Sequence, residues 1–219
     1  MKTKTSLSGP PLILASSSRH RQALLRRLGL PFSAVSPDID ETPLPGERPA
    51  ETAVRLAEAK ARAVAPKHPE ALIVGSDQVA ELHGEAVGKP RDPAHALELL
   101  RAMRGRTVVF HTAVALFNAR TSVCRNALVD VVSTFRQLDD AALEAYLARE
   151  KPFDCAGAVR SEGLGIALFT RIASDDPSAL IGLPLIRLLD LLGAEGVYPL
   201  PTARTRSSDR QRACPDGCI

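Results

Sequence analysis

One stretch, Ala71 to Pro90 (ALIVGSDQVAELHGEAVGKP), limits the folds open to this chain more than any other. Leu72-Ile73-Val74 is a short apolar run of the buried-strand type. Gly75 reads as its end, with Ser76-Asp77-Gln78 following at the strand's end. Val79 to Leu82 resumes an apolar pattern, and His83-Gly84-Glu85 has the composition of a turn. Gly88-Lys89-Pro90 then sets a cation between two backbone punctuators. An acid beside a buried strand, with a lysine across a short turn, makes a polar pocket. The same residues also suit a surface hairpin in which Asp77 is a turn residue.

Strand and helix patterns alternate on both sides of this stretch. Leu12 to Ala15 reads as a buried strand, Ser16-Ser17-Ser18 as a cap, Arg19 to Leu28 as a helix and Gly29 as its stop. A helix N-terminus directly after a strand offers free N–H groups and a positive dipole end, which favour phosphate. Arg19 and Arg21 add charge there, and arginine suits bidentate phosphate contact; a plain capped helix with solvated arginines has the same pattern. Phe32 to Val35 suits a short strand. Asp38, Asp40 and Glu41 follow in a proline-bounded loop that either holds a hard divalent cation or is a solvated acidic turn. Pro49 to Val64 is a helix whose apolar stripe is Ala53, Leu56, Ala57, Ala61 and Val64. Lys60 falls inside that stripe, so it must snorkel or meet an anion. Further on, Asp92 to Met103 reads as a helix, Thr107 to Phe117 as a strand and Leu128 to Phe135 as its antiparallel partner. Asp139 to Ala148 reads as a helix, Ile166 to Phe169 as a strand, and Pro184 to Leu192 as a last helix stopped by Gly193.

Charge placement narrows the partners. The net charge is +3, but residues 1–10 and 201–219 carry +2 each, leaving −1 on the body. With aromatic residues at only 4%, stacking platforms are few, and nucleic-acid binding is disfavoured. No apolar run reaches membrane-spanning length. Leu12 to Ala15, behind Lys2 and Lys4, is too short for a signal-peptide core, so a cytoplasmic location is expected. Cys124, Cys155, Cys214 and Cys218 show no C-x-x-C spacing, and reduced, unrelated thiols are expected. A Walker phosphate loop, H-E-x-x-H and G-x-S-x-G are all absent. What remains is cations and carboxylates on loops beside strands. That set fits a polyphosphate with a divalent ion, the cations neutralising phosphate and a carboxylate activating water.

Six motifs then occur in a familiar order: Leu14-Ala-Ser-Ser-Ser-Arg-His-Arg21, Asp40-Glu-Thr42, Ala59-Lys-Ala61, Gly75-Ser-Asp-Gln78, Gly88-Lys-Pro90 and Ser161-Glu-Gly163. With Cys155-Ala-Gly157 and Gly182-Leu-Pro184, they make residues 11 to 200 resemble the Maf family of nucleoside triphosphate pyrophosphatases. Ser76-Asp77-Gln78-Val79 resembles the branch acting on 7-methyl-GTP, where the dTTP/UTP branch has Ala-Asp-Thr. The resemblance implies an α/β fold: an elongated, mixed, twisted sheet flanked by helices, in two lobes around a central cleft. It implies one domain over 11–200; by their own composition residues 1–10 read as a loose polar segment and residues 201–219, rich in Pro, Arg, Ser and Asp, as a polar, disordered tail. By the same resemblance Asp77 is the proton acceptor. Ser16, Arg21, Lys60 and Lys89 bind the substrate's phosphates, and His20, Gln78 and Glu162 tune base specificity. Glu41 falls on an acidic position near a divalent cation, Mg2+ or Mn2+. The chain departs from the family pattern at Arg19-His20-Arg21-Gln22, where proline, then tryptophan or arginine, then two arginines are usual. A smaller group, His20, stands where a tryptophan can stack on the cationic methylated base. The same reaction on dTTP or UTP, and a non-enzymatic nucleotide-binding regulator of cell division, are the alternatives. A homodimer is left open.

Overall fold

The computed structural model describes residues 9–200; the expected tail over 201–219 and all but the last two residues of the N-terminal segment lie outside them. Within the described residues the strands are β1 (Leu12–Ala15), β2 (Ser33–Val35), β3 (Leu72–Leu82), β4 (Glu85–Val87), β5 (Thr107–Asn118), β6 (Val123–Phe135) and β7 (Phe169–Ala173). The helices are α1 (Arg19–Arg26), α2 (Pro49–Val64), α3 (Pro93–Met103), α4 (Asp140–Glu150) and α5 (Leu185–Ala194). The strands form one seven-stranded mixed sheet in the order β2-β1-β3-β5-β6-β7, with β4 also on β3. β1 is parallel to β2 and β3, and every other pairing is antiparallel. This is the α/β fold with a mixed sheet flanked by helices that the sequence implies.

Local chemistry sets the helix ends. Ser18 caps α1 by accepting from the Arg21 N–H, Asp92 caps α3 through the His95 N–H, and Asp139 caps α4 through the Ala142 N–H. Each cap satisfies an otherwise orphaned donor. Pro49 opens α2, where a missing N–H costs nothing.

Strand alternation divides the core. Leu72 and Val74 pack with Leu24, Leu25, Leu188 and Leu192 on the α1/α5 face. Ile73 points the other way, toward Ala61 and Val64 of α2. A further core surrounds Leu82, Phe110, Leu143, Tyr146 and Phe169. Along one edge, β3 is paired by β1 as far as Val74 and by β4 only from Ala80. Gly75 to Val79 have no strand on that side, although β5 pairs them throughout on the other. The interruption opens a cleft between the two ends of the sheet.

Several sequence expectations change. β3 does not stop at Gly75 but runs on through Ser76-Asp77-Gln78. Gly75 is there because α2 crosses at contact distance. A Cβ would lie 2.0 Å from the Ala57 carbonyl oxygen and 2.9 Å from the Ala61 nitrogen. Asp77 is therefore a strand residue, not a turn residue. The turn falls where the sequence places it, at His83 and Gly84, which take φ of 55° and 87°, the left-handed pair a tight hairpin requires. β6 starts at Val123, five residues earlier than expected. Leu164–Leu168 is a 3-10 turn, not a strand, and the strand begins at Phe169. Ile166, the apolar residue that suggested a strand there, is exposed. Gly193 lies inside α5. The helix ends at Ala194, and Gly196, φ 76°, lets the chain turn so that the Val197 N–H reaches back to the Leu192 carbonyl.

Candidate active site

At the gap in the β3 edge, Asp77 points toward α2 and Lys60 points back. The Lys60 ammonium donates to Asp77 Oδ1 at 2.6 Å and to Glu41 Oε1 at 2.8 Å. Lys60 is 4% exposed and Asp77 7%, so neither is left to water, and each needs the other's charge. The lysine on the apolar stripe meets an anion. Glu41 is half-exposed. Its own desolvation works to raise its pKa, but the Lys60 hydrogen bond and the charges of Lys60, Lys89 and Arg21 outweigh this and hold it below the ordinary range. The Glu41 loop is tied to α2 by Glu47, which accepts from Arg55 at 2.6 and 2.7 Å, from the Leu44 N–H and from the Thr52 hydroxyl.

Across the cleft, β1 turns into α1 through the three serines. Ser16 Oγ accepts from the Ser18 N–H, which holds the turn compact with the helix N-terminus behind it. Arg21, on the first turn of α1, donates to the Gly182 carbonyl at 2.8 Å. Burial lowers its pKa, opposed by Asp77 and Glu41, so its charge is poorly hydrated. Ser76, on the face of β3 opposite Asp77, donates to the same Gly182 carbonyl and to that of Ala113. Gln78 Nε2 donates to Thr112 Oγ1 and to the Ala179 and Leu180 carbonyls. These bonds bind the 179–182 turn to the sheet beneath the cleft.

The cleft has two connected chambers. An outer one of about 390 Å3 is lined by the Ser16–Arg21 turn, Glu41, Lys60, Lys89 and Asp154. An inner recess of about 100 Å3 is lined by His20, Arg21, Asp77, Gln78, Lys89, Asp154, Cys155 and Glu162. His20 Nδ1 lies 2.5 Å from Glu162 Oε1, and its Nε2 lies 3.8 Å from Asp154 Oδ2. Tyr146 holds the recess wall by donating to the Ala158 carbonyl and accepting from the Arg160 N–H. Burial pushes its phenol well above the ordinary range. A larger open groove, about 700 Å3 along α2 beside Glu47, Arg55 and Arg62, contains none of the singled-out residues.

All nine residues singled out in the sequence line this one cleft. The outer chamber combines cations with two carboxylates, and the inner recess combines acids with an imidazole. Asp38, Asp40 and Glu41 do not assemble as a carboxylate triplet: Asp40 caps the Thr42 N–H, while Glu41 turns to Lys60. Glu41 and Asp77, sharing one ammonium, are the hard oxygen pair that remains. That pair suits Mg2+, which takes one or two carboxylates together with substrate phosphate oxygens. Asp154 escaped sequence reasoning, and so did the Gly182 carbonyl that joins Arg21 to Ser76. Gly182 adopts φ 115°, and the only sequence sign of it is its place in Gly182-Leu-Pro184. Cys124 and Cys155 are unbridged; Cys214 and Cys218 lie outside the described residues.

A mixed sheet broken at one edge, with a buried acid and cations gathered at the break, defines an α/β protein built to hold a polyanion beside a carboxylate. The chain belongs to the Maf family: the family model described as "Maf-like protein" matches residues 11–195. It is 55% identical over 188 residues to a 7-methyl-GTP pyrophosphatase of Methylobacillus flagellatus, covering 86% of this chain and 98% of the relative. It is 57% identical over 183 residues to the Ralstonia nicotianae protein of the same name, covering 84% and 94%. A third so named, from Cupriavidus metallidurans, is 55% identical over 190 residues, covering 87% and 95%.

Proposed function

We propose that this protein hydrolyses a nucleoside triphosphate between its α and β phosphates, releasing pyrophosphate and the nucleoside monophosphate, with 7-methyl-GTP as preferred substrate. The observation that carries this reading is the Lys60 ammonium held between Asp77 and Glu41 at the break in the β3 edge. The triphosphate enters the outer chamber, where the Ser16–Ser18 turn and the α1 N-terminus offer N–H groups. Arg21, Lys60 and Lys89 neutralise its charge. Asp77 takes a proton from water as the water oxygen bonds to the α phosphorus. The bond from that phosphorus to the bridging oxygen breaks, and pyrophosphate leaves with the electron pair. Glu41 and Asp77 would hold Mg2+ or Mn2+, which supplies charge neutralisation at the phosphate oxygens.

The base enters the inner recess. A 7-methylated guanine is a cation, and Glu162 and Asp154 give that recess negative charge that a neutral pyrimidine does not need. His20 offers a ring face. Gln78, its amide nitrogen committed to the 179–182 turn, offers its Oε1. Unbridged Cys124 and Cys155 fit a cytoplasmic setting, and no helix among the described residues is long and apolar enough to cross a membrane.

The test is pyrophosphate release over a panel of canonical and modified nucleotides, with and without Mg2+. We expect 7-methyl-GTP to outrank dTTP and UTP, and Asp77→Asn to lose about 10²- to 10⁴-fold in turnover while nucleotide binding survives. Near-normal turnover in that variant refutes the base assignment, and a reversed ranking refutes the substrate.

A further inference from the structure

His20 does more than line the recess. Its Nδ1 faces the Glu162 carboxylate at 2.5 Å, and a carboxylate can only accept, so Nδ1 carries the ring proton. Nε2 is then the ring nitrogen that can offer a lone pair to a metal. It is buried and has no hydrogen-bond partner. What it faces is Asp154, whose Oδ2 lies 3.8 Å away; a ring nitrogen of His20, an Asp154 carboxylate oxygen and Cys155 Sγ lie within 4.8 Å of one another. Among the described residues this is the one cluster of three such groups close enough to share an ion.

We propose that His20 Nε2, Asp154 Oδ2 and Cys155 Sγ form a binding site for a borderline-soft divalent metal of the Zn2+ kind. The donor set is one nitrogen, one oxygen and one sulfur, which suits Zn2+ and not Mg2+. Glu162 completes the arrangement from behind. A carboxylate on the distal N–H of a ligating histidine fixes its tautomer and raises its basicity. Three protein ligands leave a fourth position open toward the recess. Asp154 Oδ1 is already engaged by Arg160 and by the thiol, so Oδ2 is the oxygen left for the ion. Arg19, at 3.9 Å from that oxygen, is solvent-exposed and free to swing away. Burial, and after it Asp154, push the Cys155 thiol up to about 12. In the metal-free protein it is a protonated, inert thiol, and the ion displaces that proton on binding.

The site is separate from the Glu41–Asp77 pair that suits Mg2+, and it belongs to the wall of the recess. On the function proposed above, an ion there fills the space of the base and shuts the substrate out. The site itself does not depend on that function.

The decisive measurement is Co2+ titration of the full chain, read by the thiolate-to-cobalt absorption band. The band is expected at one equivalent in a variant with Cys124, Cys214 and Cys218 all replaced by serine, where Cys155 is the only thiol. It is expected to vanish in Cys155→Ser with the circular dichroism unchanged. Glu162→Gln is expected to weaken Co2+ binding about 10- to 100-fold, which a merely structural glutamate does not do. Loss of the band in the triple-serine variant, or its persistence in Cys155→Ser, overturns the site. Inhibition by equimolar Zn2+ under saturating Mg2+ is the separate readout for the recess: cobalt binding without inhibition overturns the occlusion and leaves the site standing.

Discussion

Replacing Gly75 by alanine tests the claim that the approach of α2 to β3 builds the catalytic geometry. The added methyl would lie 2.0 Å from the Ala57 carbonyl oxygen and 2.9 Å from the Ala61 nitrogen. Both are backbone atoms of a buried helix and cannot rotate away. Restoring ordinary contact requires α2 to retreat by roughly 1–1.5 Å. Lys60 is the residue immediately before Ala61 and retreats with it. A displacement of that size takes the 2.6 Å Lys60–Asp77 bond beyond hydrogen-bonding range. Overpacking against an unyielding wall costs about 3 kcal/mol, the upper end of the usual range. For a chain of this length that lowers Tm by about 6–12 °C. A misplacement of about 1 Å in a catalytic site costs about 100-fold in rate, so turnover should fall by that much even well below the melting point. Thermal unfolding and pyrophosphate release on the same sample measure both. Gly88→Ala, where an added methyl meets nothing within 4 Å, is the stability control. A Gly75→Ala protein melting within about 2 °C of the parent with unchanged turnover would refute the packing argument.

Two further perturbations follow from the same contacts. Lys60→Met leaves Asp77 buried without its cation, which should cost about 3–5 kcal/mol, measured by urea unfolding; Lys60→Met with Asp77→Leu should recover much of that loss, and no recovery would contradict the pairing. Glu47 is held down to a pKa of about 2, chiefly by the Arg55 hydrogen bond. Its folded pKa lies below its unfolded one, so the unfolded chain binds the proton more readily and stability rises with pH. The stabilisation should be complete above about pH 4.5 and disappear as pH falls toward 2. Glu47→Gln should flatten the stability profile in that window, and an unchanged profile would remove Glu47 as the anchor of the Glu41 loop.

The elements were legible wherever one physical rule acted alone. Periodicity located α2, and the serine cap and apolar run located β1 and α1. Lys60 was legible as a problem: a cation on an apolar stripe must either snorkel to water or find an anion, and only the folded chain shows that it found Asp77. Gly75 was misread because a glycine after an apolar run has two meanings, punctuation or close approach, and only the neighbouring helix decides between them. Ile166 was misread because a short apolar run carries no sign of whether anything covers it. The His20–Glu162 pair joins residues far apart in the chain, and nothing local in either marks the contact. Asp154 stayed hidden for a related reason. An acid in a glycine-containing loop has the composition of a solvated turn, and its meaning comes from His20 folding over it.

The five residues of β3 left without a neighbour on one side have a consequence beyond the chemistry they host. A bare strand edge is a template on which another chain can add itself, and proteins commonly blunt such edges with charge or cover. Here β1 and β4 close the edge at both ends, so only the piece from Gly75 to Val79 stays open. It still exposes main-chain donors and acceptors to anything small enough to enter. The gap that admits a small ligand is thus bounded by the strands on either side of it, and lengthening it to enlarge the site would trade solubility for room.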